Sequence, residues 1–63
     1  MDKQEIFHPD GSLRAVIYTQ SSGRQEIHSA RGDLLGVYEP ETDITTDARG
    51  SLVARGNLLA SLA

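Results

Sequence analysis

The sequence predicts an all-β protein built of antiparallel β-hairpin repeats and assembled as an intertwined or strand-swapped homodimer. Three observations predict it. A short motif recurs along the chain, turn residues stand at close intervals, and the segments between them are rich in β-branched, aromatic and alternating apolar residues.

The motif is a small residue or Pro, then Asp or Arg, Gly, a polar Ser, Asp or Asn, Leu, any residue, and Ala or Gly. It occurs as Pro9-Asp10-Gly11-Ser12-Leu13-Arg14-Ala15 and as Ala30-Arg31-Gly32-Asp33-Leu34-Leu35-Gly36. It returns as Ala48-Arg49-Gly50-Ser51-Leu52-Val53-Ala54 and as Ala54-Arg55-Gly56-Asn57-Leu58-Leu59-Ala60. One supersecondary unit used several times accounts for this repetition.

In chain order, Met1–Glu5 is polar and reads as frayed, so the first strand is expected over Ile6-Phe7-His8. Asp10-Gly11 signals a hairpin with a type I′ turn, which needs positive φ at both central residues. The second strand, Ser12 to Thr19, alternates Leu13, Ala15 and Ile17 with Arg14, Val16 and Tyr18. Gln20-Ser21-Ser22-Gly23 has loop composition. A third strand over Arg24 to Ser29 places Gln25, Ile27 and Ser29 on one face, and Arg31-Gly32 turns the chain again.

The fourth strand, Asp33 to Glu39, sets Leu34, Gly36 and Tyr38 opposite Leu35 and Val37. Pro40 then breaks the pattern, because it lacks an amide hydrogen and presets φ for a turn. Ile44-Thr45-Thr46 resumes the sheet, and a turn at Ala48-Arg49-Gly50 leads into Ser51 to Arg55. For Asn57–Ala63 two readings stand. Asn57 is a good N-cap, with Leu58, Leu59 and Leu62 on one helical face, whereas the repeat places Leu58 and Ala60 as strand residues. The balance favours a last strand or a single frayed helical turn docked on the sheet.

Within each unit the Leu and the small residue two places on are expected on the same strand face, a knob beside a gap. The doublets Leu34-Leu35, Leu52-Val53 and Leu58-Leu59 are expected to be strands covered on both sides, since a sheet with one wet face alternates apolar and polar residues. At 63 residues a domain buries only about 60% of its unfolded-chain surface and has little material for two covers. No cysteine is present for disulfides, and His8 and His28 are the only imidazoles, so oligomerisation is the expected support. The packing and dimer residues are therefore expected to be Leu34, Leu35, Tyr38, Leu52, Val53, Leu58 and Leu59.

The run Thr46-Asp47-Ala48-Arg49-Gly50-Ser51-Leu52 with Val53-Ala54-Arg55-Gly56-Asn57-Leu58-Leu59 resembles short uncharacterised bacterial proteins built of β-hairpin repeats. Leu35-Gly36-Val37-Tyr38-Glu39-Pro40 and Asp43-Ile44-Thr45-Thr46-Asp47 extend the resemblance upstream. Asp47, Gly50 and Leu52 are also distantly similar to the Tyr-Asp repeats of Rhs shell proteins, with Thr46 in place of the tyrosine. The resemblance implies a hairpin-repeat fold and supplies no catalytic residue, cofactor or ligand.

The net charge is −3, with acidic and basic residues scattered, which argues against nucleic acid as a partner. No apolar run approaches the roughly 20 residues of a membrane span, and Met1–Glu5 does not read as a signal peptide; a cytoplasmic protein is expected. Arg31, Arg49 and Arg55 hold equivalent repeat positions and form the candidate anion-binding set, with salt bridges to Asp33, Asp47 or Glu41 the favoured outcome. His8 and His28 lack metal-ligand spacing, Glu39, Glu41, Asp43 and Asp47 lack the EF-hand pattern, and no serine stands in a nucleophile elbow. The expected function is a non-enzymatic homodimeric module for protein interaction or assembly, with no cofactor and no metal. The partners are a second copy and then a further protein. The alternative is a small ligand- or nucleic-acid-binding protein using arginines at the dimer seam.

Overall fold

Four of the connections between strands are the same three-residue loop, and that loop sets the shape of the sheet. In the computed structural model, which describes residues 2–63, the strands are β1 (Asp2–Phe7), β2 (Leu13–Thr19), β3 (Gln25–Ser29), β4 (Leu34–Glu39), β5 (Ile44–Asp47) and β6 (Leu52–Arg55). A 3-10 turn, Leu59–Leu62, follows. The six strands lie in chain order in a single antiparallel sheet. The all-β hairpin expectation therefore holds for the chain.

In each repeated loop one residue bonds both ways across the turn. His8, Gln20, Ser29 and Asp47 accept from the amides of Gly11, Gly23, Gly32 and Gly50, and donate to the carbonyls of Ser12, Arg24, Asp33 and Ser51. The four glycines have φ between +86° and +95°, a region that a Cβ penalises. The type I′ turn expected at Asp10-Gly11 does not form, since Asp43 is the only non-glycine with positive φ among the described residues. Pro9 presets the φ of the second position of a type I turn, which moves the turn one residue back and leaves Gly11 as its left-handed closing residue. Gln20–Gly23, read only as loop composition, is a fourth copy of the same device.

A second feature accompanies three of these loops. Ile6 pairs with Ala15 but Phe7 with Leu13; Ile27 pairs with Gly36 but His28 with Leu34; Thr45 pairs with Ala54 but Thr46 with Leu52. Arg14, Leu35 and Val53 are thus extra residues, each making a β-bulge in which two residues oppose one. The β2–β3 and β4–β5 ladders run without a slip. The molecule is therefore three bulged hairpins joined side by side.

The bulges overturn the expected sharing of a face by Leu and its small partner. Leu13 and Ala15 pair with adjacent residues of β1, and adjacent strand residues point to opposite faces. Leu34 and Gly36 are separated in the same way, as are Leu52 and Ala54. The doublets Leu34-Leu35 and Leu52-Val53 likewise mark bulges and do not by themselves imply two covered faces. Period-two counting fails wherever the ladder slips by one residue.

One face carries the core. Ala15, Ile17 and Ile27 are buried there together with Leu59 of the 3-10 turn, and Ile6, Leu35, Tyr38, Leu62 and Ala63 pack around them. Gly36 is buried beneath this turn, where a Cβ would press on Leu62 and lie 2.6 Å from the Thr46 carbonyl oxygen. The knob above this small residue is Leu62, contributed by the tail rather than by a neighbouring strand.

Two element expectations are corrected. The first strand is Asp2–Phe7 and not Ile6–His8: among the described residues of the supposedly frayed segment, Asp2, Lys3, Gln4 and Glu5 pair with Thr19, Tyr18, Ile17 and Val16. The length of β2 offers a complete ladder, which overrides the poor strand propensity of those side chains. Met1 lies outside the described residues. In the tail, the docked helical turn prevails over the strand, so Leu58 and Ala60 are not strand residues and the fourth motif copy does not build a hairpin.

Candidate association surface

The tail that covers the core face is fastened by polar anchors. Thr45 is fully buried; its hydroxyl donates to the Gly56 carbonyl at 2.7 Å and accepts from the Leu58 amide at 3.1 Å. Asn57 donates to Gln25 Oε1 at 2.6 Å while its Oδ1 accepts from the Leu59 amide at 3.2 Å. The Gly56 amide donates to the Asp43 carbonyl, and the Arg14 guanidinium donates to the Ala63 carbonyl. These bonds reach from β2, β3 and β5 to one short segment. They hold Leu59 over Ile17 and Ile27.

The opposite face has no such cover. From the register, β1 presents Lys3, Glu5 and Phe7 there, β2 presents Leu13, Val16 and Tyr18, and β3 presents Glu26 and His28. Leu34, Val37 and Glu39 of β4, Ile44 and Thr46 of β5, and Leu52 and Arg55 of β6 complete it. Phe7 is 54% exposed, Leu34 37% and Leu52 66%. Leu13, Leu34 and Leu52 each stand at the first position of a strand after a glycine loop, and the register staggers them along the strands, Leu13 level with Phe7, Leu34 with Val16 and Leu52 with Tyr18. In two of the three hairpins the repeat leucine, Leu34 or Leu52, is exposed, and Leu13 is half-buried.

The other end of the open face is charged. Glu26 pairs with Arg24, and its second oxygen lies 3.1 Å from His28 Nε2. Arg24 also approaches Glu39 at 3.9 Å, and Gln20 donates to Glu26 at 3.3 Å. The bond to His28 first, and then the bond to Arg24, hold the Glu26 carboxyl below the usual carboxylate range. His28 Nδ1 faces the Gly32 carbonyl at 3.2 Å, and its ring meets Tyr18 edge-on at 5.3 Å. Val16, which pairs with His28 across the ladder, is buried although it lies on the open side.

Of the predicted packing residues, Leu59 is buried, and Leu35 and Tyr38 pack against the core. Leu34, Leu52, Val53 and Leu58 are exposed. The three candidate arginines do not gather. Arg31 and Arg49 lie in loops at one end of the sheet, while Arg55 closes β6 at the other. Arg31 pairs with Asp33 at 3.5 Å, as expected for an exposed arginine. Asp47 accepts from the amides of Arg49 and Ser51 instead, and Asp43, at φ 55°, accepts from the Tyr38 hydroxyl at 2.7 Å. That bond pushes the Tyr38 phenol up.

His8 and His28 are not brought together, because His8 lies in the loop after β1 and β2 separates β1 from β3, which carries His28. Among the described residues no group of three or more His, Cys, Asp or Glu has metal-binding geometry, no cleft opens, and no helix is long and apolar enough to cross a membrane. Sequence reasoning missed Phe7 as an exposed residue and Leu13 as a half-buried one on the same face. The signal was present, since Leu13 occupies the same motif position as Leu34 and Leu52. Comparison with protein-family models, curated proteins and solved structures gives no match to this chain.

Proposed function

We propose that this chain is a non-catalytic β module of the cytoplasm that acts as a homodimer, through protein contact and assembly. The observation that carries the reading is the open face of the sheet, where Phe7, Leu34 and Leu52 remain exposed while the tail packs on the opposite face. Apolar groups gathered on one surface gain by association, at about 25 cal/mol for each Å² removed from water. The chain is also small enough that association is the available route to more core. The recurrence of one loop and one bulge in three hairpins supports kinship with hairpin-repeat proteins, whose units stack to share a core.

Light scattering across a dilution series tests the reading. The expected result is a particle of twice the 6.8 kDa chain mass through the micromolar range. A particle of one chain mass at every concentration overturns it.

A further inference from the structure

We infer that the outer edge of β1 is a self-pairing site: β1 of a second copy adds to it antiparallel, about a twofold axis perpendicular to the sheet at Gln4, and joins two six-stranded sheets into one. The inference goes beyond the homodimer reading and does not depend on it, because that reading uses the open face and this contact uses the edge.

β1 and β6 are the two edges of the sheet, and they are unlike. β6 has four residues, Leu52–Arg55, and the chain leaves it at Gly56 to cross the core face as the tail. β1 has six, Asp2–Phe7, of which Asp2, Lys3, Gln4 and Glu5 are exposed. His8 bonds towards β2 through both its amide and its carbonyl, and the bonding direction alternates along an antiparallel strand. Ile6, Gln4 and Asp2 therefore bond to β2 as well. The amides and carbonyls of Phe7, Glu5 and Lys3 point away from the sheet, a row on which another strand can form.

Charge selects the strand that fits. Lys3 and Glu5 share the open face of β1, two residues apart, and among the described residues neither makes an ion pair within its own chain. A charged edge ordinarily keeps strands apart. An antiparallel twofold instead turns this edge onto its own complement, as an isologous contact requires: with Gln4 opposite Gln4 at the axis, Lys3 of each copy stands opposite Glu5 of the other. Opposite charges at directly paired positions stabilise a ladder, and like charges weaken it. The same register aligns the outward backbone groups, so that Lys3 and Glu5 of the two copies exchange backbone hydrogen bonds in both pairs. On the core side the two Gln4 amides meet, and exposed Asp2 stands opposite Ile6. Sliding by two residues sets Glu5 against Glu5 or Lys3 against Lys3, and sliding by one turns the backbone groups away from each other. The joint covers one strand edge, well short of the roughly 800 Å² per partner of a standard interface. It therefore forms at higher concentration than a face contact.

The test compares sedimentation mass at micromolar and submillimolar concentration, with far-ultraviolet circular dichroism as the check on folding. The samples are the unaltered chain, Lys3→Glu, Glu5→Lys and an equimolar mixture of these two variants. The unaltered chain is expected at least to double its micromolar mass in the submillimolar range, whatever that starting mass is. Lys3→Glu puts two pairs of glutamates across the joint and Glu5→Lys two pairs of lysines, so each alone is expected to weaken the step about tenfold or more. The mixture sets an acidic edge against a basic one and is expected to regain the step, which a general effect of either substitution on folding would not produce. Amide exchange is expected to slow with concentration at Lys3 and Glu5, and not at Gln4. A mass that does not grow from micromolar to submillimolar concentration overturns the edge joint, as do single variants that keep the step or a mixture that fails to regain it. The micromolar mass reports the homodimer reading separately.

Discussion

Thr45 shows how much one side chain can hold in a molecule this size. Its hydroxyl is the sole buried polar side chain among the described residues, and it ties β5 to both Gly56 and Leu58. Thr45→Val preserves shape but leaves the Leu58 amide and the Gly56 carbonyl without that partner. Thermal or urea unfolding is expected to show a loss of about 1–3 kcal/mol, against a negligible loss for Thr46→Val on the open face. Gly36→Ala is a steric case, because the new methyl meets the Thr46 carbonyl oxygen, which is backbone and cannot swing aside. The expected cost is about 1–3 kcal/mol. Glu26 adds a pH dependence. Its carboxyl is held down by His28 and Arg24, so its contribution is present above the ordinary value of 4.5 and is lost as pH falls from there through the lowered folded-state value. Glu26→Gln is expected to destabilise by less than about 1 kcal/mol at neutral pH and to match the unaltered chain in unfolding titrations below that window. An equal loss at both pH values would assign the effect to packing.

At the scale of the element, the turn positions were legible in the sequence and the faces were not. Gly11, Gly32 and Gly50 each precede a polar residue and a leucine, and that punctuation correctly places three hairpins. The bulges were hidden because nothing in Leu34-Leu35 or Leu52-Val53 distinguishes a slipped ladder from a strand buried on both sides; the difference lies in hydrogen bonds made to another strand. Asp2–Glu5 read as frayed for the same reason, since they owe their strand to the partner ladder of β2. The tail was legible only as two alternatives. An isolated turn this short does not form in water, so its state depends on the anchors that receive it. Leu59→Ala removes the tail's fully buried side chain and is expected to cost about 2–5 kcal/mol. Amide exchange should then report loss of protection at the Leu58 and Gly56 amides before loss in the β2–β3 ladder. Simultaneous loss everywhere would mean that the tail and the sheet open as one unit.

For the whole molecule, one sheet with a single short cover is close to the lower limit of what burial can stabilise. The core face has its cover from within the chain, whereas Leu34 and Leu52 of the repeat remain exposed on the other face. In the homodimer we propose, folding and association are linked, because a second copy would bind the folded sheet and not the unfolded chain. The melting temperature is expected to rise with protein concentration across a hundredfold range, about 2.7 kcal/mol of added stability accruing when the partner reaches 100 times the dissociation constant. Leu52→Asp should remove that dependence while leaving the melting temperature at high dilution unchanged, since Leu52 is largely solvated in the single chain. A concentration-independent melt in the unaltered protein would instead mean that the tail and one sheet face suffice. The exposed leucine row would then make no contribution to stability through self-association.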